Sequence, residues 1–337
     1  MHWTADVRAL HLARTFTIAH SSKDVEQVLV VRLEHDGITA YGEGAPVDYW
    51  GETPASMLAF VESAAVRDAV GRDPFDLEAA TERLAALPGN TGAKMALDGA
   101  LHDWVGKRLG QPVWRLLGLS PVAPATSFTL GIDTVAGTEE RTRAATAFEV
   151  LKIKVGGPDD VARLRAIRAL STARLRVDGN EGWDIATARE LMPLLVELGV
   201  EFVEQPFPAG DLDSYHRLRE LPRRVPVLID EGCRDARDVA RVATYADGVN
   251  LKLAKTGGIR EAVRAVHVAR ALGLIVMLGC MIESELGIAQ AAQIASLVDH
   301  VDIDGHLLIT GSPFTGLELT DGRIVPADRP GLGVDPV

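Results

Sequence analysis

The 337-residue chain has little of what marks several large classes of protein. It contains only two cysteines, so no disulfide framework is predicted and a reducing compartment is expected. Its 35 lysines and arginines against 47 aspartates and glutamates argue against the basic patch that nucleic acids and anionic membranes require. No apolar run approaches the roughly 18 residues of a membrane span, and the N-terminus lacks a signal-peptide core, which together predict a cytoplasmic protein.

Hydrophobic residues nonetheless make up 47% of the chain, enough for a large buried core. The length suits one barrel of about 200 residues plus a smaller module. Early β-prone segments are joined by an expected hairpin turn at His35-Asp36-Gly37. Helices are predicted over 55–71, 74–87 and 91–109. We therefore predict an α+β capping domain over 1–118, a catalytic barrel over 119–310, and a segment over 311–337 that packs back on the capping domain.

Five charged residues recur along the middle of the chain at near-constant intervals, each closing a short apolar run that favours a β-strand. They are Lys154, Asp178, Glu204, Asp230 and Lys252, separated by 24, 26, 26 and 22 residues. Helical periodicity fills the stretches between them. A strand–helix unit of about 25 residues is typical of a (β/α) barrel, whose C-terminal strand ends meet at one mouth. The fold predicted is α/β, a (β/α)7β-type TIM barrel beneath the capping domain.

Three of these residues are carboxylates on consecutive predicted strands. Asp178, Glu204 and Asp230 would repel one another in an apolar cup unless a hard divalent cation bound them. They offer oxygen ligands only, and no histidine or cysteine takes an equivalent position, which favours Mg²⁺ or Mn²⁺ over zinc. Positions left open on the cation would accept a substrate carboxylate. The pattern therefore predicts a magnesium enzyme.

Lysines flank the predicted metal site on both sides. Lys152 and Lys154 share one face of a strand, and their mutual repulsion and the cation should lower the pKa of a lysine from about 10.4 toward neutrality. We assign Lys154 as the general base and Lys152 as its electrostatic partner. Lys252 lies nearly opposite, so one lysine can remove a proton from one face of a carbon while the other returns a proton to the opposite face. That arrangement predicts racemisation or epimerisation.

The last predicted barrel strand ends in Asp302-Ile303-Asp304-Gly305. The spacing of Asp302 and Asp304 directs both carboxylates toward the mouth, in addition to the metal ligands. A role in binding a cationic group, such as a substrate ammonium, follows from their charge. A turn-forming Asp-Gly pair is the alternative interpretation for Asp304.

The motifs around these residues resemble the enolase superfamily, in its muconate-lactonizing subgroup, and within it the dipeptide epimerases of the alanyl-glutamate type. The similar motifs are YGEGAP, WGETP, KIKVGG, RVDGNEGW, FVEQP, LIDEG, NLKLAKTGGI, GCMIESELGIAQAA and DIDG. The resemblance implies an isomerase that uses Mg²⁺, the three carboxylates as ligands and the lysines as acid and base. It also implies a small-molecule dipeptide substrate, held at its α-ammonium by the aspartate pair, and assembly into a homo-oligomer.

Further residues enter through this resemblance. It places Asn180 and Glu231 beside the metal ligands, and a loop near residue 20 over the distal part of the substrate. In that loop Lys23 would meet an acidic substrate side chain as a point charge. Thr129 and the segment 280–283 are expected to line the pocket, with Met281 and Glu283 as substrate contacts. Packing alone is an equal interpretation for Met281 and Ile282.

Alternative activities on the same scaffold are an N-acyl or N-succinylamino acid racemase, an o-succinylbenzoate synthase-like lyase and, with less support, a muconate cycloisomerase. These activities keep the metal and the lysines but have no use for Asp302 and Asp304 beside the substrate. A non-catalytic sensor or scaffold is the alternative from another class. It is disfavoured because every charged position of the site is present.

Overall fold

The computed structural model describes residues 1–222 and 224–337 and begins with an antiparallel sheet. Its first three strands are β1 (His2–Ile18), β2 (Ser21–His35) and β3 (Ile38–Gly44). Asp36 and Gly37 join β2 to β3 with left-handed φ values of 47° and 74°. These values suit a two-residue hairpin, because they match the right-handed twist of the flanking strands. The hairpin predicted at this point is confirmed.

Helices cover one face of this sheet. They are α1 (Pro54–Glu62), α2 (Ala64–Val70), α3 (Leu77–Ala86), α4 (Thr91–Leu109) and α5 (Val113–Leu116). The helix predicted over 55–71 was wrong in one respect, because Ser63 adopts extended backbone and its hydroxyl accepts a hydrogen bond from the Val66 N–H, which starts α2. Helix α4 lies directly against β3, where a Cβ at Gly42 would stand 2.0 Å from the Ala96 carbonyl oxygen. Glycine at this position therefore permits the close approach of helix and strand.

The second module is an eight-stranded parallel barrel. Its strands are β4 (Phe128–Leu130), β5 (Val150–Lys154), β6 (Arg174–Asp178), β7 (Val200–Glu204), β8 (Val227–Ile229), β9 (Gly248–Lys252), β10 (Ile275–Gly279) and β11 (His300–Asp302). The strands neighbour one another in sequence order, and a parallel bridge between Thr126 and Val301 brings the two ends of the sheet together. The predicted (β/α)7β-type barrel with an N-terminal cap is confirmed.

Helices between the strands pack around the barrel. They are α6 (Val135–Ala144), α7 (Asp160–Leu170), α8 (Ile185–Glu197), α9 (Leu212–Arg219), α10 (Ala236–Val242), α11 (Leu253–Thr256), α12 (Ile259–Ala271) and α13 (Glu285–Ala292). Inside the barrel, Phe202, Leu228 and Met277 form a small buried apolar cluster. Phe202 and Met277 lie two positions before the ends of their strands, and Leu228 lies two positions before Asp230, so the next inward-facing position on each strand belongs to the mouth.

The C-terminal part of the chain connects barrel and cap. Strand β12 (Ile309–Thr310) pairs with β1, while β13 (Phe314–Thr315) pairs with β16 (Asp335–Pro336), and β14 (Glu318–Thr320) with β15 (Arg323–Val325). Short 3-10 turns occupy Asp48–Trp50, Ala295–Leu297 and Gly305–Leu308. The Leu332 N–H donates to Asp103 Oδ1 on α4 at 2.8 Å. Within residues 1–222 and 224–337, no helix has the length and apolarity needed to cross a membrane.

Glu43, at the end of β3, links the cap to the barrel. Its carboxylate is fully buried and accepts a 2.8 Å hydrogen bond from the Ser284 N–H, while its main chain exchanges two hydrogen bonds with Gln290. Burial raises the pKa of Glu43 to about 7, although the hydrogen bonds from Ser284 oppose the shift. Glu283 lies nearby, and burial together with the charge of Glu43 raises the pKa of Glu283 to about 8.

Replacement of Glu43 by glutamine is expected to remove part of the pH dependence of stability. The pKa of Glu43 is higher in the folded state, so the folded state binds this proton more tightly. The resulting contribution to the free energy of unfolding is present below pH 4.5, is lost as the pH rises through 7, and amounts to about 3 kcal/mol. Urea unfolding across this range should show a smaller decline for Glu43→Gln than for the parent protein. Equal declines would contradict the assignment, and Glu62→Gln on the exposed face of α1 controls for the charge change.

Candidate active site

Strand register brings the three predicted metal-binding carboxylates side by side at the barrel mouth. Asp178 lies in register with Lys154 on β5 and with Glu204 on β7, and Asp230 directly follows β8. All three carboxylates are fully buried. Three negative charges at this depth require nearby positive charge, because a buried and uncompensated carboxylate is strongly disfavoured.

Lysines on β5 supply part of that charge. The Lys152 ammonium lies 2.9 Å from Asp178 Oδ2, 2.7 Å from Glu204 Oε2 and 2.7 Å from Asp302 Oδ2. The Lys154 ammonium donates to Asp178 Oδ2 at 2.7 Å. Lys152 therefore touches two predicted metal ligands and one member of the predicted ammonium-binding pair.

A second pair of lysines approaches from the opposite side of the barrel. Lys252 Nζ lies 2.7 Å from Asp230 Oδ2, and Lys255 Nζ lies 2.5 Å from Asp230 Oδ1. Lys255 also donates to the main-chain oxygens of Asp230 and Asn250. Asn250 in turn donates from Nδ2 to Glu204 Oε1 at 2.6 Å. Lys154 and Lys252, four strands apart, thus flank the carboxylates.

Ion pairing changes the acidity of these groups. Burial disfavours the charged form of Lys152 and Lys252, but the surrounding carboxylates outweigh burial and raise the pKa of both. Lys152, the predicted electrostatic partner, is therefore stabilised in its charged form, and the lowering of the pKa of the base beside a bound cation stays a prediction. The lysines likewise outweigh burial at Asp178 and Asp230 and lower the pKa of both carboxyls. Burial and the charge of Asp178 instead raise the pKa of Glu204 to about 7.

The donor set fits a hard divalent cation. Glu204 Oε2 and Asp230 Oδ2 are buried and accept no hydrogen bond from the described residues, although lysine ammoniums lie close to them. Carboxylate oxygens are the ligands that Mg²⁺ prefers. In the described part of the chain no three acidic, histidine or cysteine side chains stand at metal-binding geometry. Lys152 lies between Asp178 and Glu204 and holds oxygens that a cation would compete for.

The aspartate pair lies beside this network. Asp302 accepts a 2.6 Å hydrogen bond from Ser127 Oγ through Oδ1, and its Oδ2 faces Lys152. Asp304 accepts hydrogen bonds from the Thr129 N–H at 2.7 Å and from Thr129 Oγ1 at 3.2 Å. Burial and the charge of Asp302 raise the pKa of Asp304 to about 7, whereas Lys152 outweighs burial at Asp302 and lowers its pKa.

One cavity of about 160 Å³ between cap and barrel collects most of the predicted site. The predicted residues that line it are Lys23, Thr129, Lys152, Lys154, Asn180, Glu231, Lys252, Met281, Asp302 and Asp304. The three predicted metal ligands lie directly beneath the lysines. A wider cleft of about 870 Å³, near Pro226 and Ile275, lies at the N-terminal ends of the strands, and none of these predicted residues is among its described lining residues.

Two of the predicted neighbours of the metal site contact each other. Asn180 Nδ2 donates to Glu231 Oε1 at 3.1 Å, and the Asn180 N–H donates to Asp178 Oδ1 at 3.0 Å. Asn180 achieves this with a left-handed φ of 40°, which asparagine tolerates better than most residues. The contacts hold Asp178 in place from the solvent side.

Two predicted substrate contacts are placed differently. Glu283 is buried beneath Met281, accepts a weak hydrogen bond of 3.4 Å from the Met281 N–H, and is absent from the described lining of the cavity. It therefore supports the loop instead of facing the substrate. Lys23 lines the cavity, but its ammonium donates to Glu26 at 2.9 Å and to Asp48 at 2.8 Å. The expected pairing of Lys23 with an acidic substrate side chain meets two competing carboxylates.

Sequence reasoning missed several groups that complete the site. Asn250 and Ser127 lie two residues before Lys252 and Thr129, so strand alternation was a usable signal for both. Lys255 lies on the short helix α11 after β9, where spacing carries no signal. Tyr49 reaches the cavity from the cap, and burial together with the charges of Asp230 and Glu231 raises the pKa of its hydroxyl.

Comparisons with known proteins agree with this geometry. Residues 135–337 match the family model "Enolase C-terminal domain-like", and residues 4–118 match "Mandelate racemase / muconate lactonizing enzyme, N-terminal domain". The chain is 38% identical to an L-Ala-D/L-Glu epimerase of Bacteroides thetaiotaomicron, over 96% of this chain and 85% of the relative. It is 39% identical to a hydrophobic dipeptide epimerase of Roseobacter litoralis, over 90% of each chain.

A solved structure is similar over almost the full length. The dipeptide epimerase from Methylococcus capsulatus, complexed with Mg and the dipeptide L-Arg-D-Lys, is 34% identical and superposes with a TM-score of 0.91. The similarity covers 99% of this chain and 98% of that one. The three relatives act on or bind acidic, hydrophobic and basic dipeptides respectively, so similarity alone leaves the side-chain preference of this chain open.

Replacement of Lys255 by methionine is expected to destabilise the fold by about 3 kcal/mol. Lys255 is completely buried, and its loss leaves Asp230 with one ammonium where it now has two. Guanidinium unfolding monitored by circular dichroism provides the measurement. Arg165→Gln removes an exposed ion pair with Glu197 and should leave the unfolding midpoint almost unchanged. A Lys255→Met midpoint as little changed as that control would contradict the role given to Lys255.

Proposed function

We propose, from the premise that this chain belongs to the mandelate racemase / muconate lactonizing enzyme family of the enolase superfamily, that it is a dipeptide epimerase. The reaction inverts the α-carbon of the C-terminal residue of an L,L-dipeptide, next to the free carboxylate. One observation carries the proposal: Lys154 and Lys252 flank the buried carboxylates from opposite sides, in the same cavity as Asp302 and Asp304.

In this proposal Asp178, Glu204 and Asp230 hold Mg²⁺, with Mn²⁺ as an alternative. When bound, the cation supplies Lewis-acid stabilisation to the negative charge that develops on the substrate carboxylate. Asn180 and Glu231 contact each other above these residues and keep Asp178 oriented. The Mg-bound dipeptide complex of the similar Methylococcus epimerase supports this assignment.

The two lysines transfer the proton. One of Lys154 and Lys252 takes the α-proton with its free amine, and the other, protonated, donates a proton to the opposite face of the same carbon. Atoms and charge balance, because one proton leaves the substrate and one returns. Lys152 stays charged beside the reacting carboxylate, since the carboxylates around it favour its ammonium, and it adds electrostatic stabilisation. The cap over the cavity limits access of water to the reacting carbon.

The aspartate pair selects the substrate class. Asp302 and Asp304 place two carboxyl groups at the edge of the cavity, where a dipeptide α-ammonium can pair with them. Thr129 orients Asp304 through two hydrogen bonds. N-acylated amino acids, succinylbenzoate precursors and muconates lack this ammonium, so the racemase, lyase and cycloisomerase alternatives leave the pair unused.

We also propose a cytoplasmic homo-oligomer built from a capping domain over 1–118, a barrel over 119–310 and a segment over 311–337. The two free thiols, Cys233 and Cys280, support a reducing compartment. The matched ranges 4–118 and 135–337 support the first boundary. Light scattering of the purified protein tests the oligomeric state, since a monomeric mass would contradict it.

Hydrogen exchange in D2O tests the reaction directly. With Mg²⁺, a set of L,L-dipeptides should acquire one deuterium at the C-terminal α-carbon and yield L,D products, detected by mass spectrometry and chiral chromatography. Prior removal of Mg²⁺ with a chelator should abolish both signals, and restoring the cation should recover them. Exchange confined to N-acyl or N-succinyl amino acids would instead establish the racemase alternative.

Single-lysine variants should separate exchange from inversion. Lys252→Met is expected to lower epimerisation by about 1,000-fold, because one face of the α-carbon loses its proton donor. In Lys252→Met, deuterium exchange should survive only for the substrate configuration whose α-proton faces Lys154. In Lys154→Met, exchange should survive only for the opposite configuration. Arg143→Met, on the exposed face of α6 and outside the described lining of the cavity, is the control and should retain both signals. Inversion at the parental rate in either active-site variant would rule out the two-base mechanism.

Replacement of both aspartates by asparagine should slow the reaction of dipeptides far more than that of N-acetylated dipeptides. Asp302→Asn/Asp304→Asn is expected to lower kcat/KM for dipeptides by about 100-fold, because the ammonium loses its charged partners. Any slow reaction of N-acetylated dipeptides should change little, since these substrates have no ammonium. Steady-state kinetics gives the loss of kcat/KM for free dipeptides and for their N-acetylated counterparts. Equal losses for both series would show that Asp302 and Asp304 have only a structural role.

A further inference from the structure

We propose that the cap selects dipeptides whose epimerised residue carries a cationic side chain, such as arginine or lysine. This inference rests on the proposed function and names its substrate class. It concerns a group at the outer end of the cavity, which we call the distal cluster and define as Lys23, Glu26 and Asp48. All three residues line the cavity that also contains Lys154 and Lys252.

The distal cluster is already bonded within itself. Lys23 and Glu26 lie on β2, and Asp48 begins the 3-10 turn after β3. Lys23 Nζ donates to Glu26 Oε2 at 2.9 Å and to Asp48 Oδ2 at 2.8 Å. Burial disfavours the charge on Lys23, but the two hydrogen-bonded carboxylates outweigh it and raise the pKa of the ammonium. Lys23 therefore acts as an internal counterion.

The charge of the cluster favours a cation. One ammonium against two carboxylates leaves a net charge of −1 at the outer end of the cavity. The Asp48 side chain is 56% exposed and that of Glu26 only 16%, so Asp48 presents the accessible oxygens. A substrate guanidinium or ammonium would balance the cluster, whereas a substrate carboxylate would face two like charges and have to displace them from Lys23.

The remaining walls suit a long basic side chain and offer little to an acidic one. Phe16, Ile18 and Tyr49 line the same cavity and can cover the aliphatic stem of lysine or arginine. The described lining residues include no arginine, so a substrate carboxylate would find no bidentate partner. The other cations of the lining, Lys152, Lys154 and Lys252, are each in contact with a buried carboxylate of the barrel.

The reaction geometry directs the epimerised side chain toward this cluster. Four groups surround the reacting α-carbon: its carboxylate faces the metal-binding residues, its nitrogen leads toward Asp302 and Asp304, and its hydrogen faces a lysine. The side chain takes the direction that remains. The barrel interior below is filled by buried side chains, among them Phe202, Met277 and Arg176, which leaves the cap side of the cavity.

A charge-matched series of substrates tests the inference. Exchange and inversion would be measured for L-Ala-L-Xaa, with arginine, lysine, methionine, glutamine and glutamate as Xaa. The value of kcat/KM for arginine or lysine is expected to exceed that for glutamate by about 100-fold, and to exceed those for methionine and glutamine. Preference for glutamate, or for a neutral side chain over both basic ones, would overturn the inference while leaving the epimerase proposal intact. Reaction of no dipeptide at all would overturn both.

Variants of the cluster test whether it is the source of the preference. Glu26→Gln/Asp48→Asn removes both carboxylates and releases Lys23, so the ratio of arginine to glutamate activity should fall by about 100-fold or more. Asp24→Asn makes the same kind of charge change next to Lys23 in sequence. Asp24 is exposed and bonded to Thr15, outside the described lining of the cavity, and this control should keep the parental ratio. An unchanged ratio in the double variant, or an equal shift in the control, would overturn the inference.

Discussion

The interaction on which the site depends is the contact of one buried ammonium, that of Lys152, with three carboxylates. The Lys152 ammonium lies within 3 Å of carboxylate oxygens of Asp178, Glu204 and Asp302, and all three of these residues are buried. Without compensation, these charges could not remain ionised at that depth. Lys152 therefore connects two of the predicted metal ligands to one of the aspartates proposed to bind the substrate ammonium.

The barrel holds these charges at its mouth, above a layer of buried side chains. Phe202, Leu228 and Met277 lie one inward-facing position below the mouth, and the buried Arg176 packs over the Phe202 ring in the same layer. The cap closes the other side, and its junction with the barrel includes Glu43, another buried carboxylate. Closure from both sides lowers the effective dielectric constant of the cavity and strengthens each electrostatic interaction within it.

Charge is handled differently at the two ends of the cavity. At the inner end, Lys152 and Lys252 contact carboxylate oxygens that a divalent cation would also bind, so the ammoniums and the cation would share the same partners. At the outer end, Lys23 is held by Glu26 and Asp48, which leaves an excess of negative charge toward the substrate. In our proposal the inner end carries out the epimerisation, and the outer end selects which dipeptide reacts.

The sequence by itself determined the barrel, the level of its catalytic charges and the chemistry of the donor set. These follow from local repetition, because each strand–helix unit of about 25 residues brings the end of the next strand to the same mouth of the barrel. Alternation along single strands also identified the lysine pair on β5. The break at Ser63, on the other hand, depends on one hydroxyl that competes with helix continuation, and helical periodicity in the sequence does not register it.

Only the tertiary structure decided which charges meet. Lys152 and Asp302 are 150 residues apart, and Lys23 and Asp48 lie on different elements of the cap, yet each pair is within 3 Å. Side-chain pairing of this kind depends on the relative position of elements that no local pattern encodes. Packing made Lys23 an internal counterion, placed Glu283 beneath its loop and brought Lys255 to Asp230. The reason is that a buried charge must pair with an opposite charge, and the packing of the elements decides which one is near.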